Sequence, residues 1–127
     1  MSNHLPPNWA PRLLAVVGAG RGGENLRLLN AWATAEGGSA TWNPLNTTYP
    51  LAWGSTSYNS SQVKNYYRPT AGVCATALTL IDARYAGILG DLQSGTKTAE
   101  QICIDNTAEF STWGTGSKLI LKVLASS

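Results

Sequence analysis

Apolar residues recur every three or four positions along much of this chain, which is the spacing of helices that bury one face. The longest such pattern predicts a helix over residues 70–92. Its apolar positions, all expected to face the core, are Val73, Ala77, Leu80, Ile81, Tyr85, Ile88 and Leu92. A second helix is predicted over residues 24–36, and its expected buried positions are Leu26, Leu29, Trp32 and Ala33. The pattern therefore indicates a mainly helical protein.

Two more helices are predicted towards the C-terminus. Thr98 followed by Gln101 fits a capping box, in which each side chain bonds the backbone of the other, so a helix is expected to begin there and to end near Phe110. Residues 113–116 are predicted to form a turn because they contain two glycines. A short final helix is expected from Ser117, and its apolar positions are Leu119, Ile120, Val123 and Leu124.

The other segments lack helical periodicity. Prolines and polar residues predict an extended arm over residues 1–10, ahead of a single domain over 11–127. The apolar run 13–17 fits either a strand or one or two turns of helix. Residues 37–65 are long for a passive connection and more typical of a functional loop or an irregular hairpin. The expected fold class is thus mainly α (α+β), a helical core with this irregular or small β-hairpin segment laid over it.

Composition narrows the class of partner. Hydrophobic residues make up 43% of the 127 positions and charged residues only 13%, against roughly 25% charged in a typical domain. A surface covered by uncharged polar side chains suits a polar, mostly uncharged ligand such as a glycan. The net charge of +2 is too small to favour a nucleic-acid partner. No apolar run has the length of a membrane span, so no membrane partner is expected.

The expected location bears on the cysteines. The first eleven residues lack a charged region followed by an apolar stretch, so no signal peptide is predicted, and the protein is expected in a cytoplasm or in a particle. Cys74 and Cys103 are therefore expected to be free, with Cys74 buried because it shares a helical face with Ala77 and Ile81. A disulfide between the two cysteines is the alternative. Besides them only His4 is a typical zinc ligand, so no metal and no cofactor are expected.

The glycines at 18, 20 and 23, after the apolar run 13–17, match the dinucleotide-binding fingerprint letter for letter. That site needs a second strand after the helix, ending in an acidic residue roughly 20 positions on. Residues 39–44 do not have the pattern of a buried strand, and no alternation of strands and helices follows. The glycines are therefore interpreted as a flexible entry to the next helix.

Glu36 is the leading candidate for chemistry. It ends the helix predicted over 24–36 on the same face as Leu29 and Trp32, and two glycines follow it. Apolar surroundings and the negative end of the helix dipole both disfavour a charged carboxylate. A carboxyl group that keeps its proton near neutral pH is what a general acid requires. The alternative is a solvated glutamate in the last turn.

Aromatic and amide side chains are concentrated after Glu36. Rings stack on the C–H faces of sugars, and Asn and Thr side chains bond acetamido groups. Residues 39–66 are therefore expected to form one wall of a groove that faces Glu36. The candidate sugar-binding residues are Trp42, Asn43, Asn46, Thr47, Trp53 and Trp113. Alternatively, the rings simply pack this segment onto the helices, as is expected for Trp32.

A second catalytic carboxylate is not evident, although glycosidases usually use two. None of the other acids lies in the segment expected to face Glu36. They are Glu24, Asp82, Asp91, Glu100, Asp105 and Glu109. One acid acting alone fits substrate-assisted chemistry or a lytic route, in which the sugar's own acetamido or hydroxyl group performs the second step.

These residues resemble the lysozyme-like superfamily, above all its glucosaminidase-like and phage-associated cell-wall domains. In that group a helix ends in the catalytic glutamate, and small residues, an Asn-rich stretch, a short aromatic segment and a long helix follow. The matching stretches extend from about Pro11 to the C-terminus. They are Glu24-Asn25-Leu26, Ala31-Trp32-Ala33-Thr34-Ala35-Glu36-Gly37-Gly38, Asn43-Pro44-Leu45-Asn46-Thr47-Thr48, Val63-Lys64-Asn65-Tyr66, Ala71-Gly72-Val73-x-Ala75-Thr76-x-x-Thr79-Leu80 and Trp113-Gly114-Thr115-Gly116.

The resemblance implies cleavage of the β-1,4 bond between N-acetylated sugars of peptidoglycan, by hydrolysis or a lytic route, with Glu36 as the acid. It also implies a catalytic role for Tyr66, which corresponds to the aromatic residue across the family's cleft. The family's common Glu-Ser-Gly is replaced here by Glu36-Gly37-Gly38. Such domains act as phage lysins or within phage tails, so the expected partners are glycan strands and other virion proteins. A non-catalytic glycan-binding or structural virion module of the same fold is the alternative.

Overall fold

The structure, a computed structural model, describes residues 3–51 and 54–126. Over these ranges the protein is mainly helical, as predicted, with one small antiparallel sheet. The helices are α1 (Trp9–Val16), α2 (Gly23–Glu36), α3 (Pro69–Leu80), α4 (Ala86–Ser94), α5 (Ala99–Asp105), α6 (Thr107–Trp113) and α7 (Ser117–Ala125). The strands are β1 (Ser55–Ser57) and β2 (Lys64–Tyr66).

Helix α2 lies in the middle of the core and packs against α1, α5 and α7. Its largest buried residue, Trp32, makes edge-to-face contacts with Phe110 at 4.9 Å between ring centroids. Leu28 is fully buried, whereas Leu26 and Ala33, both predicted to be buried, are only partly so. Neighbouring helices flank α2 on several sides. Its buried face therefore includes Leu28 and is not centred on Leu26 and Ala33, as predicted.

The apolar run after the N-terminal arm forms a helix. Helix α1 begins at Trp9, inside the arm predicted over residues 1–10, because Trp9 and Ala10 are buried in the core. Pro11 is tolerated in the first turn, where its missing N–H would have no helical partner. Since the dinucleotide-binding fingerprint requires a strand where α1 stands, the structure supports its rejection.

The helix predicted over residues 70–92 is broken. The segments before and after the break meet at 76°, and a short 3-10 turn over Ala83–Tyr85 joins α3 to α4. The Asp82 carboxylate accepts the Arg84 N–H at 3.0 Å and so caps the new start. Ile81, predicted to be buried, is 52% exposed. No single helix of the described ranges is long and apolar enough to cross a membrane, although this bent pair passes by length and composition alone.

The helix predicted from Thr98 is also divided, at Asn106, into α5 and α6. The Thr98 hydroxyl accepts the Gln101 N–H at 3.1 Å, which confirms one half of the capping box. The Gln101 side chain bonds Asp105 instead of returning to Thr98. The buried Asn106 amide donates to the Ile102 carbonyl and to Asp91, both at 2.8 Å, and these bonds hold the bend. The predicted final helix is confirmed as α7, with Leu119 half exposed.

Residues 37–51 and 54–65 are irregular apart from the β1–β2 hairpin, in which Ser55 lies opposite Tyr66. This segment packs closely on α3, because a Cβ at Gly72 would lie 1.7 Å from the Trp42 carbonyl oxygen. The buried Asn43 side chain donates to the Thr47 and Lys64 carbonyls and accepts the Thr47 N–H. The segment is therefore a compact loop held against the helices.

Both cysteines are free, which was the expectation preferred over a disulfide. Cys103 is buried, and burial raises the pKa of its thiol to about 12. Cys74 is exposed, so the prediction of its burial was wrong. Cys74 and Ile81 are both exposed, whereas Ala77, expected on the same helical face, is buried, so the buried face of α3 excludes Cys74.

Candidate functional site

Glu36 is the last residue of α2, as predicted. Gly37 follows in the left-handed conformation with φ of 60°, and its N–H donates to the Ala33 carbonyl at 3.3 Å. Glycine adopts this conformation without the steric cost that a Cβ adds, so the helix ends here. The carboxyl group therefore lies at a helix C-terminus, where the helix dipole disfavours a negative charge.

Three neutral side chains surround the Glu36 carboxyl group. The Trp32 indole N–H donates to Oε2 at 3.3 Å, and the Asn46 amide donates to Oε1 at 3.4 Å. The Thr115 side chain forms a third hydrogen bond. Burial raises the pKa of Glu36 above its ordinary value of 4.5, while these hydrogen bonds lower it, and burial is the larger effect. The group thus favours the protonated form more than an exposed glutamate does.

Unlike the other acids, Glu36 has neither a cationic partner nor a backbone N–H donor at a helix start in the described part of the chain. The other six carboxylates each pair with a cation or accept backbone N–H groups at a helix start. They are Glu24, Asp82, Asp91, Glu100, Asp105 and Glu109. A partly buried acid without a charge partner serves no evident structural purpose, and such groups mark candidate functional sites.

An open groove of about 480 Å³ exposes Glu36 to solvent. Its lining is mostly polar and uncharged. The residues beside Glu36 that bear on binding are Asn46, Thr48, Asn59, Ser61, Trp113 and Thr115. No second carboxylate lines the groove among the residues that the structure describes. This lining can bond hydroxyl and acetamido groups, and the Trp113 ring offers an apolar face.

Asn46 is held against Glu36 by the local backbone. Its own φ is 55°, a left-handed value that Asn tolerates better than most residues. Gly38 leaves the space for its side chain, because a Cβ there would lie 2.0 Å from Asn46 Oδ1. The two glycines after Glu36 therefore have separate structural roles. Gly37 ends the helix, and Gly38 leaves room for the Asn46 side chain.

The structure brings two of the predicted binding residues, Asn46 and Trp113, together with Glu36. The Trp113 indole N–H donates to the Leu45 carbonyl at 2.7 Å, which orients the ring. Sequence reasoning did not single out Thr115, although it lies in the quoted Trp113-Gly114-Thr115-Gly116 turn. Only the fold of that turn onto the end of α2 distinguishes it from other threonines.

The other predicted site residues lie elsewhere. Tyr66 is 1% exposed and donates to the Tyr49 carbonyl at 2.6 Å, because β2 turns it against α3. Burial raises the pKa of its phenol, and the residue does not line the groove. Asn43 and Thr47 are buried and bonded within the loop, so they have structural roles. Trp42 is half-buried and outside the groove lining. Trp53 lies outside the described residues.

Among the described residues no group of His, Cys, Asp and Glu has the arrangement of a metal site. Comparison with protein-family models, with curated proteins and with solved structures found no match for this chain. The candidate site therefore rests on its own residues: one partly buried carboxyl group, three neutral hydrogen-bond partners and an open polar groove.

Proposed function

We propose that this protein is a lysozyme-like enzyme that cleaves β-1,4 bonds between N-acetylated sugars of peptidoglycan, with Glu36 as the general acid. The observation that carries the proposal is the partly buried, uncompensated carboxyl group that opens into a polar groove. Its raised pKa favours the proton that a leaving glycosidic oxygen must receive. The uncharged lining suits a glycan, whose hydroxyl and acetamido groups need hydrogen bonds rather than ion pairs.

The mechanism follows from the single acid. Protonated Glu36 donates its proton to the bridging oxygen as the bond to the sugar's anomeric carbon breaks. A hydroxyl group of the same sugar then attacks that carbon, and its proton returns to the Glu36 carboxylate. This lytic route needs no second carboxylate, in agreement with the groove lining over residues 3–51 and 54–126. If the sugar's acetamido oxygen attacked that carbon instead, a water molecule would open the resulting cyclic intermediate, and the net reaction would be hydrolysis.

Trp32, Asn46 and Thr115 act as positioning residues in this proposal. Their hydrogen bonds to both carboxyl oxygens limit the rotation of the group and stabilise the carboxylate after proton transfer. They moderate the pKa that burial raises, so that the acid recovers its proton in each cycle and still gives it up.

The test is lysis of purified cell walls by the Glu36→Gln variant. The amide keeps the size of the side chain but has no proton to donate, so activity should fall roughly 10²–10⁴-fold. Glu100→Gln is the matched control, because it removes an exposed carboxylate that pairs with Arg27 outside the groove. Mass spectrometry of the fragments would identify anhydro-sugar ends. If Glu36→Gln lysed walls as fast as the wild type, the proposal would be wrong.

A second candidate is a glycan-binding module without catalysis, acting in a phage particle. The observation that favours it is the lack of a second carboxylate among the groove residues. Such a module would sediment with cell walls yet release no fragments, whereas the enzyme releases them. As an enzyme, the protein would act at the bacterial wall, either as a lysin or as part of a phage tail.

A further inference from the structure

A second pocket of about 180 Å³ continues the groove beyond Trp113. We call it the side pocket and define it by Thr79, Arg84, Tyr85 and Thr112. It shares Asn46, Thr48 and Trp113 with the groove that contains Glu36. A ligand lying across Trp113 would therefore contact both spaces at once.

A series of edge-to-face and tilted aromatic contacts connects Glu36 to the far end of the side pocket. The Trp32 indole bonds Glu36, and Trp32 packs on Trp113 at 4.8 Å between ring centroids. Trp113 in turn packs on Tyr85 at 4.9 Å. The Arg84 guanidinium carbon lies 5.3 Å from the centre of the Tyr85 ring. Trp32 and Tyr85 are buried and Trp113 is partly buried, so packing fixes the rings between Glu36 and the side pocket. The Arg84 side chain itself is 62% exposed and faces solvent.

Arg84 is the only cation among the described residues lining the groove and the side pocket, and Glu36 is the only anion. The Arg84 Nε–H donates to Asp82 at 3.0 Å, while its two terminal nitrogens have no partner among the described residues. Glu109 also lies near Tyr85, but its two oxygens accept the N–H groups of Gly87 and Ile88 at 2.9 Å each. Asp82 is thus the main charge opposing an anion at Arg84.

We propose that Arg84 binds a carboxylate carried by the glycan, and that this contact makes the site prefer peptidoglycan to chitin. The inference rests on the proposed function. Peptidoglycan carries such a carboxylate in two places. One is the lactyl group of alternate sugars where no peptide is attached, and the other is the peptide itself. A guanidinium presents two parallel N–H donors to a carboxylate, which a neutral chitin chain cannot use. Arg84 is therefore a specificity residue, while Glu36 performs the chemistry.

The test measures binding with Glu36→Gln as the background, so that no ligand is cleaved. NMR titration at low salt would compare three probes: chitotetraose, peptide-free peptidoglycan strands with free lactyl carboxylates, and strands that keep their peptides. Arg84→Gln should weaken binding of a carboxylate probe about two- to fivefold, the range of an exposed ion pair, and leave chitotetraose unchanged. Asp82→Asn keeps a capping oxygen but removes the opposing charge, so it should strengthen carboxylate binding. Arg21→Gln, which changes the same charge outside the side pocket, is the control.

The outcomes separate the two proposals. A carboxylate preference that Arg84→Gln abolishes and Arg21→Gln retains supports the inference, and the probe that shows it identifies lactyl or peptide as the source. Equal binding of all three probes, or an equal effect of the two arginine variants, overturns the inference and leaves the glycan site standing. Binding of none of the probes overturns both.

Discussion

Glu36 couples the stability of the fold to pH. Its pKa in the folded state is raised above the ordinary 4.5, mainly by burial, so folding favours the protonated form. The resulting stabilisation is complete below pH 4.5 and is lost as the pH rises through the higher folded pKa. Glu36→Gln should therefore be more stable than the wild type at pH 7, and the difference should shrink towards pH 4. Melting temperatures of both proteins across this range would measure the effect.

Glu100→Gln should change stability in the opposite direction to Glu36→Gln. Its hydrogen bonds with Arg27 lower the pKa of Glu100, so the carboxylate stabilises the fold above its unfolded pKa and this contribution is lost as the pH falls. The variant should be less stable than the wild type at pH 7 and match it at low pH. A stability difference between Glu36→Gln and the wild type that does not change with pH would show that Glu36 is an ordinary solvated acid, and a curve of the Glu100 shape would show that folding lowers its pKa.

Gly38 tests the hydrogen bond between Asn46 and Glu36. In Gly38→Ala the new Cβ would lie 2.0 Å from Asn46 Oδ1 and must push the amide away from the carboxyl group. Because that hydrogen bond lowers the pKa of Glu36, its loss should raise the pKa further and move the alkaline limb of the pH–activity profile upwards. Gly20→Ala is the control, since its Cβ meets no atom within 4 Å. An unchanged profile in Gly38→Ala would exclude Asn46 as a positioning residue.

Helix α3 and the loop over it depend on one close approach. Gly72 lies in α3, and a Cβ there would lie 1.7 Å from the backbone oxygen of Trp42, which cannot move without shifting the loop. Gly72→Ala should therefore cost about 1–3 kcal/mol of unfolding free energy, as overpacking does. Urea denaturation would measure the loss.

Gly90, inside α4, is the matched control for Gly72. Its Cβ would meet no atom within 4 Å, so Gly90→Ala should gain about 0.5–1 kcal/mol through helix propensity alone. Equal stability of the two alanine variants would mean that the loop does not pack on α3 as described. The two glycines look alike in the sequence, and only their neighbours distinguish them.

The reactivity of the two thiols tests which parts of the folded molecule are buried. Cys74 is exposed and should react with a thiol reagent in the native state, whereas Cys103 is buried with its pKa raised to about 12 and should react only on unfolding. Labelling of the native protein should therefore count one thiol, and labelling in urea should count two. Since neither thiol is bonded, reductant should leave the melting temperature unchanged. A count of zero in urea without reductant would show a disulfide, and a count of zero only in the native state would show that Cys74 is buried as well.

Helical periodicity was sufficient to predict most of the helices, the end of α2 at Glu36 and an irregular segment after it. These features depend on local sequence: apolar spacing, glycines beyond a helix end and a Thr98 cap are recorded within a few residues. The continuous helix over 70–92 was wrong because apolar residues keep the same spacing on both sides of the bend. The Asp82 cap and the Asn106 bonds that make the two breaks are single side-chain contacts that periodicity does not record.

The candidate site, like the fold, could be predicted only in part from the sequence. The acid itself could be found from the sequence, because its helix face, its position at a helix end and the glycines after it are all local. Its surroundings could not, since Asn46, Trp113 and Thr115 reach Glu36 from separate parts of the chain. Tyr66 and Asn43 have suitable side chains for sugar, yet the fold buries them. Which polar residues face solvent is decided by the packing of neighbouring elements, and that packing exists only in the tertiary structure.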